Sequence, residues 1–330
     1  MTYILVTGGL GFIGSHTVLE LLEKQYKIII IDNLSNSSKD VLKVFKNILF
    51  FQIDLRNHLQ LENLFVKYRI SAVIHFAALK AVGESIASPL KYYDNNICGT
   101  MNLLEIMKKY DCNKIIFSSS ATVYGENTYP VTEDCPVGNG LTNPYGRTKY
   151  MIEQILSDLY NSDKSWSITI LRYFNPIGAH PAGLLGENPN EIPNNLFPYL
   201  LKVSAKKLPA LTIFGSDYET EDGTCVRDFI HVVDLARGHV KALEQINETD
   251  PKLRVYNLGT GKGTSVKELI GIFEKVNNVV INHKYSARRE GDLPCVYADT
   301  NHANTELGWQ CIYSVEDMCK HGYNYALANF

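Results

Sequence analysis

The stretch Asn-Pro-Tyr-Gly-Arg-Thr-Lys, residues 143–149, holds a tyrosine and a lysine four positions apart, Tyr145 and Lys149. A free tyrosine has a pKa of about 10 and is a poor base near neutrality. Asn143 suits a helix N-cap and Pro144 the first helical position. That places Tyr145 in the first turn and Lys149 on the same face. Ile152, Ile155, Leu156 and Leu159 continue the face, which therefore points inward. An ammonium and a helix N-terminus both favour a phenolate, so the pair is expected to lower the Tyr145 pKa and make a reversible base. Tyr-x-x-x-Lys alone fits equally well an aromatic cap with a snorkelling lysine. A third candidate is Ser120, at the end of the apolar run that enters "SSSATVYG" (118–125). Its hydroxyl could bond the reacting alcohol; it also suits an ordinary Ser-rich loop start.

Upstream, "VTGGLGFIGSH" supplies a second chemistry. Gly9, Gly11 and Gly14 satisfy Gly-x-Gly-x-x-Gly; Gly8, Gly11 and Gly14 satisfy Gly-x-x-Gly-x-x-Gly. A pyrophosphate must approach backbone amides at a helix N-terminus, and a Cβ would block it. An apolar strand pattern precedes the glycines and a helical one follows, which is the context the motif requires. Asp32 ends the second apolar run, where a carboxylate holds ribose hydroxyls and repels a 2′-phosphate. NAD is expected rather than NADP. Asp54, in "QIDLR", is a candidate for the adenine edge.

These residues need a scaffold. "YILV" (3–6), "IIII" (28–31), "FFQI" (50–53), "AVIHF" (72–76), "KIIF" (114–117) and "ITILRYF" (168–174) read as buried strands, alternating with amphipathic helical stretches. The pattern predicts an α/β fold, a Rossmann-type doubly wound parallel sheet. After Phe174 a Pro-, Gly- and Asn-rich stretch (175–195) breaks the periodicity. Helical patterns return at 197–207, 232–246 and 265–276. The expected division is a dinucleotide-binding domain over 1–175 and a smaller C-terminal α/β lobe over 176–330. About 228–258 is expected to return and pack on the first domain.

The 330 residues are 45% apolar with a formal charge of −3, so neither nucleic acid nor an anionic membrane is an expected partner. The seven cysteines are scattered without a Cys-x-x-Cys pair, which argues for reduced thiols and against a structural metal. The first residues carry no leader pattern and no apolar run approaches the ~20 residues of a membrane span. A cytoplasmic protein is expected.

With these motifs stand "HFAALKAVGES", "YYDNN", "LRYFNPIGAHP", "IPNNLFPY", "EDGTCVRDFIHV", "YNLGTG" and "REGDLP". Together they resemble the extended short-chain dehydrogenase/reductase family over nearly the whole chain, and most closely its members that invert C4 of UDP-glucose and UDP-galactose. Ala78, where many relatives have glycine, is a small departure. The resemblance implies tightly held NAD. Tyr145 takes the proton of the sugar 4-hydroxyl while the C4 hydride passes to NAD; the 4-keto sugar turns over, and hydride and proton return to the other face. It implies Phe12, Ile13, Asn33, Asn36, Ser37, Asp54, Leu55, Phe76, Ala77, Lys80, Asn95, Lys149 and Tyr173 beside the cofactor. It implies Asn175, Asn195, Leu196, Thr212, Phe214, Arg227, Arg289 and Asp292 beside the UDP-sugar, with Lys80, Ser120 and Tyr145 shared. Two arginines suit a diphosphate through charge-assisted hydrogen bonds; each equally suits a salt bridge.

Related 4,6-dehydratases carry an Asp-Glu pair where this chain has Ala121 and Thr122, and related decarboxylases carry Glu at the second position. Neither residue here can act as a carboxylic acid or base. A non-catalytic NAD-binding sensor is the reading from another class, and retention of Tyr145, Lys149 and Ser120 counts against it. Val296 falls where some relatives carry a bulky tyrosine beside the sugar. The resemblance implies either room for 2-N-acetyl sugars or ordinary packing, with the pocket closed elsewhere. It also implies a homodimer, paired through the helices at "NNICGTMNLLEIMKKY" and "PYGRTKYMIEQIL".

Overall fold

A computed structural model describes residues 2–188, 193–289 and 291–330. Ile192 and Glu290, which fall in two of the motifs above, lie outside the described residues. Seven strands, Tyr3–Thr7, Ile28–Asp32, Leu49–Gln52, Ile70–His75, Lys114–Ser120, Ser167–Tyr173 and Leu253–Leu258, form one sheet. Every pairing in it is parallel, and the spatial order, counted along the chain, is 7-6-5-4-1-2-3. This is the doubly wound Rossmann-type sheet. Its order reverses between the first and fourth strands, and such a reversal opens a crevice at the strand C-termini.

The apolar runs are continuous because both faces of the sheet are covered. Ile4, Val6, Ile28 and Ile30 point to one side, against Val18 and Leu21 of the helix Phe12–Glu23 and Val240, Leu243 and Ile246 of the helix Val232–Glu248. Leu5, Ile29 and Ile31 point to the other, against Leu61, Leu103, Ile152 and Leu156. Successive strand side chains alternate faces, so a one-residue slip would exchange the two cores. Each buried leucine or isoleucine contributes about 1.5–3 kcal/mol, which fixes the register.

The fifth strand ends at Ser120, as expected, because Ser118, Ser119 and Ser120 continue the ladder opposite Leu171, Arg172 and Tyr173. One difference from the sequence reading lies at the sheet edge: the seventh strand "LRVYNL" was hidden by its polar Arg254 and Asn257, and it pairs with residues 168–173.

Outside the sheet a separate apolar cluster joins Phe197, Leu200 and Leu201 to Leu269, Ile270 and Phe273 and to Met318, Cys319 and Ala326. The last three belong to the helix Val315–Asn329, whose polar sequence hid its period. A capping box between Ser314 and Asp317 starts it. All seven cysteines are free thiols. Among the described residues no helix is long and apolar enough to cross a membrane.

Candidate active site

The helix Pro144–Ser162 begins as its sequence demands: Asn143 Oδ1 accepts from the Gly146 amide at 2.8 Å. Tyr145 thus stands in the first turn. Lys149 is 3% exposed, and its Nζ donates to the Ser118 carbonyl at 2.6 Å. The ammonium lies 4.9 Å from the centre of the Phe117 ring and 5.9 Å from that of Tyr145. Burial brings the Lys149 pKa down to about 7, opposed by the Glu153 carboxylate one turn on.

One expectation is corrected here. The sequence reading has Lys149 lowering the Tyr145 pKa. In the protein the Tyr145 phenol is pushed up by burial, and what pulls it back in part is a hydrogen bond to Ser120 and the charge of Lys80. The Lys149 ammonium is turned toward the Ser118 carbonyl, and burial disfavours the charged phenolate.

The surroundings tie the pair to the strand ends. Tyr173 shares a hydrogen bond with the Ser118 hydroxyl, and Ser120 Oγ accepts from the Thr122 amide at 3.3 Å. Glu153 bonds Ser119 and forms a buried ion pair with Arg172 at 2.7 Å. Asn96 accepts from the Leu79 amide at 2.8 Å and donates to Thr148 at 3.0 Å, fixing the backbone beside Lys80 and Lys149 together. Lys80 Nζ reaches Glu187 Oε1 at 2.8 Å. Sequence reasoning passed over Glu153, Asn96 and Glu187. Glu153 carried a readable signal, a second charge on an inward helix face; Asn96 and Glu187 carried none.

The glycine loop is shaped for close approach. Gly8 has a φ of +66°, and a Cβ on it would stand 2.7 Å from the Ala77 amide nitrogen. A Cβ on Gly14 would stand 2.4 Å from the Gly8 carbonyl. The helix Phe12–Glu23 starts at Gly11 without a side-chain cap, leaving amides for an anion. Asp32 accepts from the Leu10 and Leu34 amides at 3.1 and 2.9 Å and from Ser37 Oγ at 2.8 Å. It is at once a turn aspartate and a lining residue, because a carboxylate has acceptor capacity beyond three bonds. Asp54 is bonded by Arg56 at 2.7 Å and Asn33 at 3.0 Å. The Arg56 guanidinium holds its carboxyl well below the usual range.

One cleft of about 1250 Å³ runs from this loop to the second lobe, larger than the ~300–1,000 Å³ of a typical single-ligand pocket. Gly8, Gly11, Phe12, Ile13, Gly14, Asp32, Asn33, Asn36, Ser37, Asp54, Leu55, Phe76, Ala77, Lys80, Asn95, Ser120, Tyr145, Lys149 and Tyr173 all line it. So do Asn175, Asn195, Leu196, Thr212, Phe214, Arg227, Arg289 and Asp292. Asn195 is the N-cap residue of the helix Leu196–Ser204, and Thr212 and Phe214 belong to the strand Leu211–Phe214. Asp292 receives a two-point bond from Arg289 at 2.9 and 3.0 Å and stands 3.8 Å from Arg227. Both readings of the arginines therefore meet: they are paired, and they converge on one point of the cleft. Val296 is the exception. It does not line the cleft; it packs in the apolar cluster that includes Phe174, a lining residue. Its strand, Cys295–Val296, pairs with Val226–Arg227, which sets Val296 beside the lining residue Arg227.

A doubly wound sheet with a glycine cradle and a Tyr-x-x-x-Lys pair opening on one cleft defines the class of nucleotide-binding protein. The chain belongs to the NAD dependent epimerase/dehydratase family, matched over residues 4–259. It is 53% identical to UDP-glucose 4-epimerase of Bacillus subtilis (strain 168), over 99% of this chain and 97% of that protein. It is 51% identical to UDP-glucose 4-epimerase of Pasteurella multocida (strain Pm70), over 99% and 98%. The crystal structure of UDP-glucose 4-epimerase from Bifidobacterium longum, in complex with NAD+ and UDP, superposes with a TM-score of 0.95 at 48% identity, covering 100% of this chain and 99% of that one.

Proposed function

We propose that this chain interconverts UDP-glucose and UDP-galactose by NAD-dependent inversion at C4. The observation that carries the reading is continuity: the glycine cradle, Tyr145 and the two arginines open on one cleft. Relatives of that name at 51–53% identity over 99% of the chain support it.

The residues fit NAD. The cradle at Gly8 and Gly14 has no room for a Cβ, the helix N-terminus is uncapped, and Asp32 stands at the end of the second strand. Gly8, Gly11, Phe12, Ile13 and Gly14 hold the pyrophosphate, Asp32, Asn33, Asn36 and Ser37 the adenosine ribose, and Lys149 and Tyr173 the other end. Bound NAD supplies a reversible hydride acceptor whose oxidised ring is cationic. Tyr145 takes the 4-hydroxyl proton and later returns it, with Ser120 bonding the same oxygen. Burial raises the Tyr145 phenol, so proton removal depends on cations brought close to it: Lys80 and the oxidised ring. Arg227 and Arg289 exchange Asp292 for the diphosphate and anchor the nucleotide. The hexose, held more loosely, turns between the two half-reactions. Ala121 and Thr122 offer no carboxyl for dehydration or decarboxylation.

The test is turnover of UDP-galactose with UDP-glucose measured in a coupled assay. No turnover by folded, NAD-loaded protein would sink the reading.

A wider substrate range is part of the proposal: at Val296, where some relatives carry a bulky tyrosine, the smaller side chain leaves room for a 2-N-acetyl group. Wild type is then active on UDP-N-acetylglucosamine and UDP-N-acetylgalactosamine, and Val296→Tyr loses that activity first. Equal behaviour of the two proteins removes Val296 from the account. The working form is a cytoplasmic homodimer, paired through the helices Gly99–Lys109 and Pro144–Ser162, where Met101 and Met151 are 39% and 41% exposed. Sedimentation as a monomer overturns the dimer.

A further inference from the structure

Lys80 is the charged side chain that eases ionisation of Tyr145, yet it is half exposed and carries a long flexible stem. An ammonium of that kind does not stay at one point of a cleft unless something holds it. Its backbone is fixed by the Leu79–Asn96 bonds. Its head is held by Glu187, another residue of the cleft lining, at 2.8 Å across 107 residues of chain.

Glu187 is built to hold. Its side chain is 11% exposed, against 49% for Lys80. Ala179 and Gly186 form an antiparallel bridge, and the His180 amide donates to the Leu185 carbonyl at 2.9 Å. Gly186 is pressed on the Tyr325 ring so closely that a Cβ would stand 2.3 Å from it. The carboxylate therefore projects from a packed turn, while the lysine supplies the reach.

We infer that Glu187 is a positioning residue for the proton transfer: its carboxylate keeps the Lys80 ammonium in the cleft beside Tyr145. The inference rests on the reading of Tyr145 as the base. Burial lowers the Lys80 pKa; the charge and hydrogen bond of Glu187, with a smaller contribution from Tyr145, raise it above its ordinary value and keep the amine charged. The other groups facing Tyr145 do not replace Lys80. Tyr92 and Tyr173 are phenols pushed up by burial, and Lys149 is bonded to the Ser118 carbonyl. Glu187 does not act on Tyr145 directly, so the sign is set through Lys80. Without Glu187 the ammonium loses its place or its proton, the Tyr145 phenolate loses support, and more alkaline solution is needed to ionise it.

The experiment uses NAD-loaded wild type, Glu187→Gln, Glu187→Asp, Lys80→Met and the double variant Lys80→Met/Glu187→Gln. Two readouts are taken across pH. One is kcat and KM for UDP-galactose; the other is tyrosinate difference absorbance against Tyr145→Phe. Glu187→Gln is expected to move the acid limb of kcat and the tyrosinate midpoint up together by about one pH unit, with KM changed less than about threefold. Glu187→Asp restores part of the shift. Lys80→Met moves both in the same direction, and the double variant matches Lys80→Met within about twofold, the sign of one shared interaction. An unchanged acid limb in Glu187→Gln, or multiplicative losses in the double variant, overturns the inference. Absence of turnover in wild type overturns the proposed function instead, and the tyrosinate midpoints then still decide whether Glu187 acts through Lys80.

Discussion

The Lys149 ammonium donates to the Ser118 carbonyl at 2.6 Å, a bond from the catalytic helix to the C-terminal end of the fifth strand. Ser118 in turn shares a hydrogen bond with Tyr173, and Ser120, two residues on, bonds Tyr145. Lysine and tyrosine are thus aligned through the strand end rather than by direct contact. The lysine charge is kept out of water, at a cost in stability that function accounts for.

Replacing that charge by an apolar side chain separates the two demands. Lys149→Met is expected to lower turnover at least ~100-fold while raising unfolding stability by about 1–3 kcal/mol, since a buried charge is removed. Turnover and urea denaturation of the same preparation check both signs. A variant that is both inactive and less stable contradicts this account of Lys149.

Tyr145→Phe keeps the ring and removes the proton carrier. Turnover is expected to fall by at least ~10³-fold, with NAD retained at the wild-type level. Quantifying cofactor released on denaturation, beside the coupled assay, distinguishes lost chemistry from lost binding. Wild-type rates in this variant exclude Tyr145 as the base.

Gly14→Ala brings a methyl group to 2.4 Å from the Gly8 carbonyl. Something must shift, and what shifts is the cradle. The expected outcome is a loss of about 1–3 kcal/mol in stability and at least a ~10-fold loss in NAD affinity. Denaturation midpoints and NAD titration measure the two effects separately.

The buried pair Glu153–Arg172 is 3% and 6% exposed at its side chains. Removing one member leaves an uncompensated charge, so Glu153→Leu is expected to cost about 3–5 kcal/mol. The double variant Glu153→Leu/Arg172→Met recovers most of that loss. Equal destabilisation of single and double variants would show that packing, not the unpaired charge, sets the cost.

Four histidines, His16, His75, His231 and His239, are held neutral by burial, at about 4, 3, 3 and 4 against an ordinary 6.5. Their folded pKa values are lowered, so the unfolded chain binds protons first as pH falls. Stability is therefore unaffected by them above about pH 6.5 and declines progressively from there toward about pH 4, by up to about 1.4 kcal/mol per pH unit for each proton. Denaturant midpoints measured across pH 4–8 give the slope. A flat profile over that window shows the four histidines to be charged or open in the folded state.

The sequence by itself determined the sheet, the cradle and the helix that carries Tyr145. Each of these is written in local chemistry. Continuous isoleucines mark strands covered on both faces, glycines mark a backbone that must come close, and Asn143-Pro144 starts a helix. Their periods and caps act within a few residues, so they read without the fold. The polar seventh strand and the last helix were hidden because partners far along the chain cover them. The tertiary structure alone decided the charges around the base. Which carbonyl receives Lys149, that Glu187 meets Lys80 across 107 residues, that two arginines converge on Asp292, and that Val296 is not part of the lining all depend on long-range placement. Coulomb interaction and desolvation depend on distance and burial, and neither is a property of neighbouring letters. Spacing along a helix put Lys149 on the face of Tyr145; only the packed strand end showed where its ammonium points.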